Sequence, residues 1–216
     1  VYFTALANAP AVDASLIAYL WPLFIVLGSA MMPGENLRWH HVAGALMGLA
    51  GAAMIVTKGG SVSFEAQYAF GYMMAFACAF LWSGYSLLSR RLGSVPTDAV
   101  TGFCLATAIL ALGCHFTFEQ TAWPQTGGQW ISILLLGLLP VGAAFFAWDY
   151  GVKRGNIQIL GAASYASPLL STLVLVLAGK AEFTNTVMMA CLLITFGAVL
   201  ASKDMIFGKA VSAGAS

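Results

Sequence analysis

Two short segments place aromatic and hydroxyl side chains beside a proline inside otherwise apolar sequence. They read AYLWPLFIVL at residues 18–27 and AASYASPL at residues 162–169. A tyrosine or tryptophan buried in a membrane needs a hydrogen-bond partner for its O–H or N–H, so it either pairs within the protein or lines a wet cavity. Such a lining suits a ligand with an apolar or aromatic body and a few hydrogen-bonding groups. These segments therefore indicate binding chemistry.

The predicted lining of a substrate path is mainly aromatic, and its side chains would act as stacking surfaces and gates. Trp82 and Tyr85 have the i, i+3 spacing that places two side chains on one helix face. Trp148 lies about one turn from the end of its predicted span, so a role at the membrane interface competes for it. Packing in the core is the alternative for the other aromatic residues. The predicted path residues are Tyr2, Tyr19, Trp21, Trp82, Tyr85, Trp148, Ser164 and Tyr165.

Two prolines fall near the centres of predicted spans. Proline lacks an N–H and clashes with the carbonyl four residues back, so it loosens a helical turn. The freed backbone groups are tolerated in a membrane only beside protein or water. We predict that Pro22 and Pro168 form hinges or kinks next to the path, with a purely structural kink as the alternative. Pro140 has no repeat-equivalent residue in this chain, so we predict only a packing role for it.

Enzyme and metal chemistry find little support. The sequence contains no HExxH, no GxSxG and no paired carboxylates, and its four cysteines are scattered singly. Asp149 and Lys153 have the spacing of a helix ion pair. His40 and His41 are expected in a cytoplasmic loop without a partner set, and Asp13 is expected to be solvated or interfacial. We therefore predict no enzyme activity, no cofactor and no metal site.

The composition predicts an integral membrane protein. Hydrophobic residues make up 60% of the chain and charged residues 8%, against about a quarter charged in soluble domains. The net charge of +1 gives no indication of nucleic-acid binding. A helix needs about 20 apolar residues to cross the bilayer. Residues 1–9 resemble the end of one such span, and seven more are predicted at 11–33, 41–57, 69–89, 98–118, 130–152, 158–179 and 184–202.

Lysine and arginine distribute unevenly over alternate sides of these spans. Positive residues concentrate on the cytoplasmic side of membrane proteins. The count of seven to two predicts a protein of the inner (plasma) membrane with a cytoplasmic C-terminus. The cytoplasmic set is Arg38, Arg90, Arg91, Lys153, Arg154, Lys203 and Lys209, and the outer set is Lys58 and Lys180.

An internal repeat relates the two proline segments. An offset of 146 residues aligns Tyr19 with Tyr165 and Pro22 with Pro168. By the charge count, the two helices cross the membrane in opposite directions, as in the inverted repeats of many transporters. Gly44, Gly48 and Gly51 line one face of the second span, where small residues allow close helix approach. We favour packing within a monomer over dimerisation for this face.

The repeat also predicts a domain organisation. Residues 1–62 form the end of a first repeat, residues 63–205 form a second repeat of five helices, and residues 206–216 form a cytoplasmic tail. If the second repeat begins near Gly71, its counterpart begins at 71 − 146 = −75, so about three further helices are expected upstream. The expected fold is an all-α integral membrane protein, an inverted-repeat bundle of ten helices.

Three segments resemble a known family. The sequences ALANAPAVDASLIAYLWPLFIVL and GALMGLAGAAMIV, at residues 5–27 and 44–56, are similar to the EamA-type half of the drug/metabolite transporter superfamily. More narrowly, FFAWDYGVKRGNIQILGAASYASPLLSTL at residues 145–173 resembles the YddG-type aromatic amino acid exporters. This resemblance implies a ten-helix exporter of the inner membrane with both termini in the cytoplasm.

The repeat and the central aromatic residues predict a transporter that works by alternating access, and the resemblance adds amino acids as cargo and export as direction. The expected partners are the lipid bilayer and a small-molecule substrate, an aromatic or bulky apolar amino acid. Export of other amphipathic metabolites or drugs is the alternative within the class. A membrane scaffold without transport activity is the alternative outside it. The predicted spans hold no ionisable residue in their central half, so coupling through a midplane carboxylate is unsupported in this part of the chain.

Overall fold

In the computed structural model, which describes residues 1–61 and 64–205, the described chain is helical and contains no β-strand. The predicted tail at residues 206–216 and the predicted boundary at residues 62–63 lie outside the described residues. The α-helices are α1 (Tyr2–Asn8), α2 (Ala11–Ala18), α3 (Trp21–Gly28), α4 (Trp39–Thr57), α5 (Ala69–Arg91), α6 (Ala99–Phe118), α7 (Gly127–Leu138), α8 (Ala144–Arg154), α9 (Ile157–Ala163), α10 (Ala166–Leu177) and α11 (Asn185–Ala201).

Six helical segments of the described chain are long and apolar enough to cross a membrane. The seventh predicted span corresponds to α11, which is apolar but has only 17 residues. All seven predicted spans agree with a helical segment to within three residues at each end. The six long segments are Ala11–Met31, Trp39–Thr57, Ala66–Arg91, Ala99–Phe118, Gly127–Arg154 and Ile157–Leu177.

The helix boundaries follow the repeat offset of 146. Helix α4 begins at Trp39 and α11 begins at Asn185, which is 39 + 146. Helices α2 and α9 begin at the equivalent residues 11 and 157, and α1 and α8 end at the equivalent residues 8 and 154. The repeat therefore extends from a few identical residues to the positions at which equivalent helices begin or end.

The chain divides into two compact units. The first comprises residues 1–88 with residues from 156 onward, and the second comprises residues 89–155. In the first unit, Gly44 of α4 lies so close to α11 that a Cβ at this position would overlap the carbonyl oxygen of Gly197. A Cβ on Gly51 would lie 2.9 Å from the carbonyl oxygen of Ala190.

These two contacts show how α4 and α11 pack. The contacts from Gly44 to Gly51 run forward along α4 and backward along α11, so the two helices are antiparallel, as inverted copies require. The offset maps Gly44 onto Ala190 and Gly51 onto Gly197, so exchanging the repeats converts one contact into the other. The predicted small face therefore packs within the chain, and its glycines permit contact between backbones.

The second unit contains a buried ion pair near the C-terminal end of α8. Lys153 Nζ lies 2.7 Å from Asp149 Oδ2, and both side chains are buried, which confirms the pair predicted from their spacing. The Ser89 hydroxyl donates to Asp149 Oδ1 at 2.5 Å. Arg90 Nη1 donates to the carbonyls of Val152, Lys153 and Gly155, at 2.8–3.1 Å. These carbonyls lie at the C-terminus of α8, where a positively charged side chain is favourable.

Lys153→Met should lower the free energy of unfolding by about 3–5 kcal/mol, because removal of one partner leaves the Asp149 charge buried and unpaired. Unfolding of the purified protein in detergent, followed by heating or denaturant, measures this loss. Arg91→Met is the matched control, since Arg91 is exposed on the neighbouring helix. The double variant Asp149→Leu/Lys153→Met should recover most of the lost stability. Equal stability of Lys153→Met and Arg91→Met would contradict the assignment.

Candidate functional site

Both proline segments contain an interruption of the helix just before the proline. Helix α2 ends at Ala18 and α3 begins at Trp21, so Pro22 occupies the second position of α3. In the second copy, α9 ends at Ala163 and α10 begins at Ala166, so Pro168 occupies the third position of α10. The break precedes each proline because a proline is tolerated in the first turn of a helix but not in its interior. The role of these breaks as hinges remains a prediction.

Tyr165 connects the two interruptions. Its side chain has no exposed surface, and its hydroxyl oxygen accepts a hydrogen bond from the backbone N–H of Leu23 at 3.2 Å. Leu23 is the third residue of α3, and the first N–H groups of a helix have no partner within the helix. A phenol from the second copy therefore satisfies a backbone group that the interruption in the first copy leaves open.

The ring of Tyr165 is held against α4. A Cβ on Gly48 would lie 2.5 Å from the Cδ2 atom of Tyr165, so only glycine leaves room for the ring. Tyr165 belongs to a buried cluster that includes Val26 and Ala162, and the half-buried Tyr19 packs against this cluster. The two repeat-equivalent tyrosines thus share one core, although only Tyr165 is fully buried.

A second aromatic group lies beside the first interruption. The rings of Trp21 and Trp82 meet edge to face with their centroids 6.2 Å apart. The Trp82 and Tyr85 rings are 5.5 Å apart on the same helix, α5, as their spacing predicts. Trp21, Trp82 and Tyr85 are each half-buried, so the group retains accessible ring surface. The Trp21–Trp82–Tyr85 group can therefore stack against a ligand ring, in the geometry that aromatic pairs prefer.

The remaining predicted residues have separate surroundings. The Tyr2 hydroxyl lies 3.2 Å from the Ser15 hydroxyl, at the start of the first unit. The Ser164 hydroxyl donates to the carbonyl of Leu160 in its own helix at 2.7 Å. Trp148 lies in α8 of the second unit and is half-buried. A path role for these three residues remains a prediction.

The structure narrows one expectation about polar residues and contradicts another. Asp13 is only 8% exposed and accepts a hydrogen bond from the Tyr72 hydroxyl at 3.1 Å, so it is not solvated, and its interfacial position stays a prediction. His40 and His41 are buried in the first turn of α4 and do have a partner, Asp204, with one ligand atom of each residue within 4.8 Å of the others. Tertiary contacts decide both cases, because the partners are distant in sequence.

The His40–His41–Asp204 cluster contacts other protein groups. His41 Nδ1 accepts the backbone N–H of Arg38 at 3.2 Å, at the start of α4. Arg38 Nη1 donates to Asp204 Oδ1 at 3.0 Å. His40 Nε2 lies 3.2 Å from Asp204 Oδ2. The Arg38–Asp204 ion pair connects the start of α4 to the residues after α11.

Several residues of the site were not predicted from the sequence. The Leu23 backbone N–H, the Ser15 hydroxyl and the Gly48 contact with Tyr165 all depend on which helices meet. Gly48 was singled out only as part of a small face. The offset aligns Gly48 with Ile194, and this difference in side-chain size between the copies is a sequence signal of the ring contact.

Comparisons with known proteins show the family of the chain. The model of the EamA-like transporter family matches residues 1–57 and 69–203. The chain is 52% identical over 202 residues to an aromatic amino acid exporter, YddG, of Ancylobacter novellus, covering 93% of this chain and 70% of the relative. It is 27% identical to the exporter of the same name from Salmonella typhimurium, covering 75% of this chain and 57% of the relative. One crystal structure matches with a TM-score of 0.89 at 53% identity, over 93% of this chain and 71% of the other.

Proposed function

We propose, from the premise that this chain belongs to the EamA-like transporter family, that it is part of a multi-pass membrane exporter of aromatic amino acids. The observation that carries the proposal is the Trp21–Trp82–Tyr85 group beside the interruption at Pro22. Accessible ring surface next to loosened backbone can hold an aromatic side chain and can move with the helix. The names of the relatives at 52% and 27% identity support the cargo and the direction.

The proposed mechanism is alternating access. Transport sites of inverted-repeat proteins lie near the membrane midplane, where interrupted helices of the two copies meet. The hydrogen bond from Leu23 N–H to the Tyr165 hydroxyl, which joins the two interrupted helices, supports such a site between the copies. We propose that Pro22 and Pro168 act as hinges and that Tyr2, Tyr19, Trp148, Ser164 and Tyr165 line the path when the copies move apart.

The proposed setting follows from charge and composition. Seven of nine lysine and arginine residues fall on one side of the predicted spans, which favours the inner membrane with a cytoplasmic C-terminus. The glycine face of α4 is used within the chain, which supports a monomer. We propose no cofactor and no enzyme activity.

Trp21→Ala and Trp82→Ala should each reduce the specific rate of L-tryptophan transport at least about tenfold, as expected when a stacking residue worth about 2 kcal/mol is lost. The measurement is flux of labelled L-tryptophan in proteoliposomes, at equal amounts of reconstituted protein. Trp130→Ala is the matched control, since Trp130 pairs with Trp123 at 6.3 Å but both rings are exposed.

The proposal fails if the intact protein gives no saturable flux of L-tryptophan or L-phenylalanine. Flux of apolar drugs alone would instead favour the alternative cargo. Equal losses in Trp21→Ala and Trp130→Ala would remove the Trp21–Trp82–Tyr85 group from the path.

A further inference from the structure

A polar cavity lies in the first unit, away from the aromatic residues described above. Its volume is about 250 Å³, and it is bounded by the start of α4, the start of α9 and the residues after α11. The chain order gives no hint of this cavity, because its walls come from three distant segments. The polar side chains that line the cavity include Asn36, Arg38, His41, Asn156, Gln158 and Asp204.

Gln158 is the main indication that the cavity holds a ligand. Its side chain is 1% exposed, and its Oε1 atom has no hydrogen-bond partner within residues 1–61 and 64–205. A buried acceptor left unpaired costs about 1–3 kcal/mol, so buried amides in folded proteins are nearly always satisfied. Gln158 Oε1 therefore requires a donor from outside the described chain, such as an ammonium group or a water molecule.

The internal repeat allows the residues at equivalent helix ends to be compared between the two copies. Helices α9 and α11 have the same starting positions as α2 and α4 after the offset of 146. Asn156 caps α9 and His41 caps α4, whereas Gln158 makes no capping contact within the described residues and its equivalent is a valine, so Gln158 is not needed to build its helix end. For Arg38, His41, Asn156 and Gln158 the equivalents are Thr184, Val187, Pro10 and Val12.

The charges at the cavity select the class of ligand. Arg38 and Asp204 lie side by side at 3.0 Å, and their side chains are 60% and 43% exposed, so both can be reached from solvent. A ligand with a carboxylate and an ammonium group complements this pair, since each group meets an opposite charge. The ammonium group also supplies the donor that Gln158 Oε1 lacks. A simple anion would meet the carboxylates of Asp204 and Glu35.

We propose that this cavity binds the zwitterionic headgroup of an α-amino acid. The carboxylate would bind Arg38 and the side-chain amide of Asn156, whose oxygen already accepts the Ile159 N–H at 2.9 Å. The ammonium group would bind Gln158 Oε1 and Asp204. The function as a cytoplasmic loading site rests on the proposed export of amino acids and on the predicted orientation. The binding chemistry rests on the cavity alone.

The test uses L-alanine, which has the headgroup but no aromatic ring. Saturation-transfer NMR on the purified protein in lipid nanodiscs should show saturable L-alanine binding. Propionate lacks the ammonium group and ethylamine lacks the carboxylate, and each should bind at least about tenfold more weakly, because one charge-assisted contact set is lost. Gln158→Leu and Arg38→Met should weaken L-alanine binding by a similar factor. Lys180→Met, which removes an exposed positive charge elsewhere, should leave binding unchanged.

Three results would overturn the inference: no saturable L-alanine binding, binding unchanged in both variants, or propionate binding as well as L-alanine. Arg38 is exposed, so Arg38→Met remains informative if Gln158→Leu fails to fold. L-tryptophan flux without L-alanine binding would remove the cavity site and leave the proposed export intact. L-alanine binding without flux of any aromatic amino acid would remove the proposed export and leave the cavity site intact.

Discussion

Gly44→Val should eliminate folded protein from the membrane fraction. The first atom of the new side chain would overlap the carbonyl oxygen of Gly197, and the Ala201 backbone nitrogen would lie 2.9 Å away. Backbone atoms of a packed helix cannot move aside as a flexible side chain can, so the cost exceeds the usual 1–3 kcal/mol or so of an overpacked core. Helices α4 and α11 would separate, and with them the contact between the repeats.

Size-exclusion chromatography of a fluorescent fusion measures this effect as the yield of monodisperse protein. Gly84→Val is the matched control, since a Cβ on Gly84 of α5 meets no atom within 4 Å. Gly51→Ala should give an intermediate yield, because its Cβ would lie 2.7 Å from Ile194 Cγ1, in a side chain that can rotate, and 2.9 Å from the Ala190 carbonyl oxygen, a milder backbone overlap than that at Gly44. A normal yield of Gly44→Val would show that the two helices are not packed as described.

Tyr165→Ala should abolish transport of L-tryptophan and lower the stability of the protein by about 3–5 kcal/mol, the usual cost of removing a buried aromatic ring. The ring is fully buried against Gly48, and its hydroxyl satisfies the Leu23 N–H. Tyr165→Phe keeps the ring and leaves the N–H unpaired, which costs about 1–3 kcal/mol. Flux in proteoliposomes and unfolding in detergent report the two effects separately.

Tyr19→Phe provides the comparison within the same protein, because Tyr19 is the repeat equivalent of Tyr165 and is only half-buried. It should lose less stability than Tyr165→Phe. The assignment of Tyr165 as the partner of Leu23 is wrong if the two phenylalanine variants are equally stable. If Tyr165→Phe is destabilised but transports normally, the bond has a structural role only.

The apolar spans were predictable because a membrane helix is defined by the length of its apolar run, a local property of the sequence. The small face of Gly44, Gly48 and Gly51 was predictable for a similar reason, since its spacing follows the helical period. Its partner was not, because nothing in α4 specifies Gly197. The repeat offset supplies that information once the two helices are known to be antiparallel.

Other parts of the structure depend on contacts that no local pattern contains. Residues 139–143, around Pro140, form a π-helical turn between α7 and α8, where the sequence indicated only packing. The burial of His40 and His41 depends on Asp204, more than 160 residues away in the chain. Their sequence position beside a predicted loop suggested solvent instead. Polar residues near the ends of spans are thus where sequence-based interpretation was weakest.

The exchange symmetry of the α4–α11 contact has an energetic consequence. The Gly44–Gly197 contact becomes the Ala190–Gly51 contact when the copies are interchanged. A tilt that separates the two helices at the Gly44–Gly197 end and a tilt that separates them at the Gly51–Ala190 end therefore break equivalent backbone contacts. The α4–α11 contact therefore contributes nearly equally to the free energies of the two oppositely tilted arrangements. In the proposed alternating-access mechanism, the bias toward one arrangement must then come from residues that the copies do not share and from the cargo.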